Sequence, residues 1–276
     1  MSQPDITVLD QGTRMDLSAI ARALSLKPVE ARLLLLLDFD GTLVELADDP
    51  AAVELPTARR DLLRRLACRP DLTVGFISGR RLADLRMRVG LGNAAYYAGL
   101  HGLEIEGPEI QFLHSQAANT RALIERLRRS FIDATKDLAS VRVENKELTV
   151  AMHVRGAGAG AQRQAELSFR KIAEPHLDAG TLRLLHGHQV FELLPGVAWT
   201  KGDAVLRIKA GVERHYGQAA WLVYVGDDVT DEDAFRAVGA DGMTIAVGDR
   251  PASAAFRLPN PDAVERFLLQ VTLTGP

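Results

Sequence analysis

Residues 33–43 read LLLLLDFDGTL: five leucines run into two aspartates that flank one phenylalanine, and a Gly-Thr follows. A continuous apolar run of this length, closed by glycine, predicts a strand covered on both faces of a parallel sheet. A helix ending in an Asp-x-Asp turn is the poorer reading, because Gly41 breaks a helix and nothing apolar continues the 3.6-residue period. The runs 72–77 (LTVGFI), 94–98 (AAYYA), 221–225 (WLVYV) and 243–247 (MTIAV) repeat the buried-strand pattern. Helical spacing predicts the elements between them. Pro56 opens a helix over 57–67 with Leu62, Leu63 and Leu66 inward, and Leu82, Leu85 and Val89 mark a second. Ala204, Val205, Ile208 and Val212 mark a third over 201–215, and Thr230 with Asp233 resembles a capping box opening another. Asn260-Pro261 then reads as the N-cap and first residue of a helix carrying Val264, Phe267, Leu268 and Val271. Strands alternating with helices at this spacing predict parallel βαβ units.

Between 104 and 195 the pattern changes. Residues 103–105 and 110–113 read as a hairpin around Gly107-Pro108, and 115–138 as a long helix. Two short alternating runs, 141–144 and 148–155, are followed by a Gly/Ala stretch, a helix to about 176, and strands at 182–185 and 190–193. Grouped hairpins with period-two alternation predict an α+β module whose antiparallel sheet is wet on one face. The fold class is therefore α/β: a Rossmann-like parallel sheet over 31–103 and 196–276, with an inserted α+β module at 104–195. The cleft between the two is the expected site. Closure is expected about hinges near 102–106 and 195–200. Residues 1–30 form an arm in which Leu17, Ile20, Ala21 and Leu24 share one face of a short helix; docking on the core, a dimer contact and a mobile arm all stay open.

Composition narrows the class. The chain has 276 residues, 47% hydrophobic and 25% charged, which is ordinary for a soluble globular protein. The net charge is -3 and no basic tract stands out, so nucleic acid is not an expected partner. Cys68 is the sole cysteine, which excludes an internal disulfide and a Cys-based metal site. With no secretory core at the N-terminus and no 18-residue apolar run, the expectation is a cytoplasmic enzyme without a membrane span. Oligomeric state is not legible.

Chemistry gathers where the parallel strands end. Asp38 and Asp40 are two residues apart, so in an extended segment both carboxylates point the same way, and a hard divalent cation such as magnesium would relieve their repulsion. Ser78, Lys201 and the pair Asp227 and Asp228 fall at the same rim. Carboxylates, a hydroxyl and an ammonium are the inventory that phosphoryl transfer uses. Taken singly, Ser78 reads equally well as a helix cap and Lys201 as a surface charge. A calcium loop at 227–231 is excluded by Val229 at its third position and the missing glycine at its sixth. The run 156–161 (GAGAGA) satisfies a dinucleotide fingerprint, yet the strand before it alternates and no strand precedes Asp178, so it reads as a loop.

The order DFDGTL at 38–43, Ser78, Lys201 and GDDVTD at 226–231 resembles the four motifs of the haloacid dehalogenase-like (HAD-like) phosphatases. That resemblance implies Asp38 as nucleophile and Asp40 as the acid that protonates the leaving sugar oxygen and then activates water. It implies magnesium held by Asp38, the Asp40 backbone carbonyl and Asp227, with Asp228 or Asp231 as an outer or alternative ligand. Ser78 and Lys201 would hold the phosphoryl oxygens. Ser78-Gly79-Arg80, Gly99-Leu100-His101-Gly102, Glu144-Asn145-Lys146, His153-x-Arg155, Glu192-x-x-Pro195, Lys201-Gly202 and GDDVTDEDAF at 226–235 further resemble the trehalose-6-phosphate phosphatase family. The inserted module is then a cap, and Arg80, His101, Glu144, Lys146, His153, Arg155 and Glu192 are the implied substrate-binding residues. The chain departs from that pattern at Gln189 and Leu194, near which basic residues are expected. The small-molecule partner implied is a sugar phosphate, trehalose 6-phosphate. The alternatives are glucosylglycerol, mannosylglycerate or sucrose phosphate, or a sugar phosphomutase of the same superfamily. A non-catalytic sensor is disfavoured because Asp38, Asp40, Lys201 and Asp227 are all present.

Overall fold

The computed structural model describes residues 17–47, 49–187 and 189–273. After α1 (Leu17–Leu24), the first half alternates β1 (Arg32–Leu37), α2 (Thr57–Ala67), β2 (Leu72–Ile77), α3 (Leu82–Val89) and β3 (Tyr96–Gly99). The strands β4 (Glu104–Gly107) and β5 (Ile110–Leu113) follow as a hairpin, then α4 (Ser115–Ala118) and α5 (Arg121–Thr135). The middle of the chain holds β6 (Arg142–Asn145), β7 (Val150–His153), α6 (Ala159–Asp178), β8 (Leu182–Gly187) and β9 (Val190–Pro195). It closes with α7 (Lys201–Tyr216), β10 (Ala220–Gly226), α8 (Asp231–Val238), β11 (Met243–Val247), β12 (Phe256–Leu258) and α9 (Pro261–Leu273).

Eight strands form one sheet in the order β12-β11-β10-β1-β2-β3-β4-β5, parallel from β12 to β3. The leucine run of β1 lies at its centre and divides between the two faces, as a strand must. Leu33, Leu35 and Leu37 pack with Leu62, Leu63 and Leu66 of α2 and Phe267 and Leu268 of α9. Leu34 and Leu36 pack with Val205, Ile208 and Val212 of α7 and Phe235 of α8. All five are buried, and each contributes about 1.5–3 kcal/mol of transfer free energy. Of the readings open for the arm, α1 docks: Ile20 and Leu24 join the core cluster beside α9. Residues 1–16 of the arm lie outside the described residues.

The hairpin at 104–113 corrects the expected domain limits. It belongs to the large sheet, where β4 pairs antiparallel with β3 and β5 extends the edge. The chain therefore leaves that sheet after Leu113, and 104–106 is pinned by backbone hydrogen bonds rather than poised as a hinge. The chain returns to the large sheet's side through 196–200, where Val197 and Trp199 pack with Leu100, Leu103, Ala117 and Leu148. The long helix expected over 115–138 is broken at Asn119-Thr120 into α4 and α5, and β12 was not anticipated.

The second sheet, β6-β7-β9-β8, is antiparallel throughout. One face is covered by α5 and α6, with Phe131 and Phe169 stacked at 4.7 Å between ring centroids. The residues on the opposite face lie in cross-strand rows. Glu144, Ala151, Glu192 and Leu185 are register partners in one row, and Arg142, His153, Val190 and Gly187 in the next. This face is turned to the carboxyl ends of the large sheet. The Gly/Ala run leads from the antiparallel β7 into α6, with Gly158 as its N-cap, so it lacks the parallel-sheet setting of a dinucleotide site.

Candidate active site

Asp38 follows β1 where the chain turns between β10 and β2, the point at which connections depart in opposite directions along the sheet. Its amide donates to the Val225 carbonyl at 2.9 Å. The next residues fold back, the Gly41 amide reaching the Val44 carbonyl at 2.8 Å. Gly41 has φ +80°, and a Cβ there would lie 2.1 Å from Asp227 Oδ2. The glycine thus admits the Asp227 carboxylate against the loop, and the Thr42 hydroxyl donates to Asp227 Oδ1 at 2.9 Å.

Lys201 opens α7 behind Asp38. Thr200 and Asp203 form a reciprocal capping box there, whereas the box expected at Thr230 and Asp233 does not form: Thr230 is the N-cap of α8 but makes no side-chain cap bond. Buried Lys201 Nζ stands 3.1 Å from Asp38 Oδ1 and 2.8 Å from Asp231 Oδ1. Burial disfavours its charge, but Asp231 and Asp38 outweigh that and hold the ammonium well above its ordinary range. Asp231 also accepts from the Tyr224 hydroxyl at 2.6 Å and the Asp228 amide at 2.9 Å. Gly226 is required here as well, since a Cβ would meet Asp231 Cγ at 2.4 Å.

Oxygens of Asp38, Asp227 and Asp231 all lie within 4.8 Å of one another. Of the two residues left open as the further ligand, Asp231 is the third carboxylate of this cluster, while Asp228 lines the adjoining pocket. Burial, and then the field of Asp231, push Asp227 up to about 7. Burial likewise raises Asp38, with Asp231 and Asp227 working against Lys201. Three crowded carboxylates that Lys201 only partly offsets are a donor set that a hard divalent cation fits. Arg250, which carried no signal in the sequence, braces this loop through the carbonyls of Asp227 (3.2 Å) and Asp228 (2.8 Å).

Asp40 points elsewhere. Its two oxygens accept from Arg80 Nε and Nη2, both at 2.6 Å. Ser78, buried at the end of β2, accepts the Arg80 amide at 3.1 Å; the N-cap of α3 is Arg81, so Ser78 is not the cap of that helix.

The small sheet closes the pocket from above. Glu192 accepts from Lys146 Nζ at 3.0 Å and from the Thr149 hydroxyl at 2.6 Å. Burial alone would raise its pKa, but Lys146 and these contacts hold the carboxyl far below its usual value. Lys146 also donates to the Gly79 carbonyl at 3.1 Å, tying cap to core beside Ser78. Glu144 and His153 lie 2.8 Å apart, and Arg155 donates to the Ala47 carbonyl at 2.7 Å. His101, at φ +58°, is buried with both ring nitrogens lacking a hydrogen-bond partner, 3.9 Å from Glu192. Burial lowers its pKa, which favours the neutral imidazole. The catalytic, substrate-binding and Asp227/Asp228 positions singled out in the sequence all line one pocket, as does Gln189; Asp231 and Leu194 are buried and do not line it. Among the described residues no helix is long and apolar enough to cross a membrane.

Residues 36–261 match the family model described as trehalose-phosphatase. The chain is 37% identical over 239 residues to a trehalose-phosphate phosphatase of Mycobacterium tuberculosis, covering 83% of this chain and 59% of that protein. It thus spans little more than half the length of the curated relatives it matches. The fold is similar to the C-terminal domain of a Candida albicans trehalose-6-phosphate phosphatase, with TM-score 0.78, 24% identity, and 95% of this chain and 99% of that chain covered. It is also similar to a haloacid dehalogenase-like hydrolase of Bacteroides thetaiotaomicron, with TM-score 0.59, 16% identity, and 87% and 99% covered.

Proposed function

Because the chain belongs to the trehalose-phosphatase family, we propose that it hydrolyses trehalose 6-phosphate to trehalose and inorganic phosphate, with magnesium, through an aspartyl-phosphate on Asp38. The observation that carries this reading is the meeting of Asp38, Lys201 and Asp227 beneath a sheet face bearing Glu144, Lys146 and Glu192. Asp38 Oδ attacks phosphorus and the bond to the sugar oxygen breaks, that oxygen taking a proton from Asp40. Asp40 then accepts a proton from a water that attacks the phosphorus, and Asp38 is released. Lys201 neutralises phosphoryl charge and holds Asp38, while the Ser78 hydroxyl donates to a phosphoryl oxygen. Asp38, the Asp40 backbone carbonyl and Asp227 would hold magnesium, with Asp228 and Asp231 behind them; the ion supplies positive charge to the phosphoryl oxygens.

The cap supplies the sugar readers. Carboxylates accept hydrogen bonds from sugar hydroxyls at defined geometry, and Glu144 and Glu192 sit in one cross-strand row facing the cleft. His101, His153, Lys146 and Arg155 line the same wall, and the unpartnered His101 nitrogens are available to a hydroxyl. A phosphatase for another sugar phosphate is the second reading, favoured by Gln189 where the family pattern leads one to expect basic residues nearby. Phosphate release over a panel of trehalose, sucrose, glucosylglycerol and mannosylglycerate phosphates, with and without magnesium, separates the two. The expected result is a kcat/KM for trehalose 6-phosphate at least about 100-fold above the others, since buried polar groups left unpaired penalise the wrong sugar heavily. A higher kcat/KM for a different sugar phosphate overturns the substrate assignment.

A further inference from the structure

Arg80 is implied by resemblance to bind substrate, but its hydrogen bonds go to the protein. A guanidinium has five N–H donors. Nε donates to Asp40 Oδ2, Nη2 to Asp40 Oδ1 and to the Pro50 carbonyl (2.9 Å), and Nη1 to Asp84 (2.9 Å). One donor is left. The group is 9% exposed and is itself fixed: Asp84 is gripped by Arg88 Nε at 2.8 and 2.9 Å, and Arg88 donates to the carbonyls of Ala51 (3.1 Å) and Val53. A rigid fork at 2.6 Å on both oxygens sets the rotamer of a carboxylate whose own side chain is 30% exposed at the pocket mouth.

From this geometry we infer that Arg80 is a positioning residue for Asp40 and not a reader of the sugar. The inference rests on the proposed reading in one respect, that Asp40 carries the proton. The fork fixes which way the Asp40 carboxyl faces, so its orientation toward the departing sugar oxygen is set before the P–O bond breaks. The pathway is continuous with the loop beside the pocket, since Pro50, Ala51 and Val53 all present carbonyls to Arg80 or Arg88.

The test compares leaving groups. Trehalose 6-phosphate needs a proton at the departing oxygen; p-nitrophenyl phosphate does not, because nitrophenolate is stable as the anion. In Arg80→Ala and in Arg80→Lys, which keeps charge but loses the fork, single-turnover release of trehalose is expected to fall about 100-fold with KM within about 3-fold of wild type. Single-turnover release of nitrophenolate, which precedes the water-attack step common to both substrates, is expected to fall at least about 10-fold less than single-turnover release of trehalose. A rise in KM with kcat retained would make Arg80 a substrate contact and overturn the inference. Equal losses on both substrates would also overturn it. Should the alanine variant unfold, the lysine variant carries the comparison. A wild-type enzyme that turns over the aryl ester but not trehalose 6-phosphate defeats the substrate reading alone, and the Arg80 comparison then runs on whichever sugar phosphate it does hydrolyse.

Discussion

Gly41 shows how little freedom the site allows a single residue. A side chain there is strained at φ +80° and would collide with Asp227 Oδ2. Gly41→Ala is therefore expected to cost at least about 1–2 kcal/mol from the left-handed backbone alone. On a chain of this size that lowers the thermal midpoint by roughly 2–8 °C. Displacement of Asp227 should in addition abolish any thermal stabilisation by added magnesium; a variant still stabilised as wild type would contradict the placement of Asp227. At this scale the sequence was informative where chemistry clusters in short motifs: Asp38, Lys201 and Asp227 meet as their strand-end positions imply. It was silent where partners are remote. Nothing near Tyr224 or Arg250 announces that one holds Asp231 and the other braces the loop at 227–228, because those bonds depend on how α8 and the loop after β11 close on β10.

Elements were legible where period and burial agree. The alternation of β7 separates the face packed on α5 and α6 from the face turned to the pocket, although Ala151 on the latter is as buried as Val150 and Met152, and β1, β2, β3, β10 and β11 fall where the apolar runs lie. Period does not say which edge a hairpin joins, which is why β4 and β5 were grouped with the wrong sheet. The row through Glu144 and Glu192 carries the element-scale expectation. Glu144→Ala should reduce kcat/KM on the disaccharide substrate at least about 10-fold more than on a small phosphate ester, and proportional losses would remove it as a sugar reader. Glu192 also shapes the acid limb of stability. Its carboxyl binds a proton less readily folded than unfolded, where the ordinary value is 4.5. Its contribution is complete above that value and is lost as the pH falls through the lowered one. Glu192→Gln should flatten the loss of thermal stability below pH 4.5. It should also cost about 3 kcal/mol at neutral pH, because Lys146 is left buried without its partner. An unchanged acid limb in the variant would contradict this.

At the scale of the molecule, two sheets face each other across one pocket and are tied by pairs that cross it. Arg142 reaches Asp49 at 3.0 Å and Arg81 reaches Glu147; all four side chains are about half exposed. Such pairs are each worth at most about 1 kcal/mol and weaken with salt. The buried Lys146 bond to Gly79 is the stronger tie. Removing both exposed pairs with Arg81→Ala and Arg142→Ala should enlarge the radius of gyration of the free protein in small-angle scattering, and a sulfate-ester analogue of the substrate should restore it. Identical profiles in all states would count against closure of the cap.

The measurement closest to the central claim is phosphate release from trehalose 6-phosphate by wild type and Asp38→Asn, each with magnesium and with a chelator. The expected result is release that needs magnesium in the wild type and falls at least about 1000-fold in a variant of unchanged thermal midpoint. Wild-type rates in Asp38→Asn, or in the chelated enzyme, would contradict the convergence of Asp38, Lys201 and Asp227 as the source of the activity.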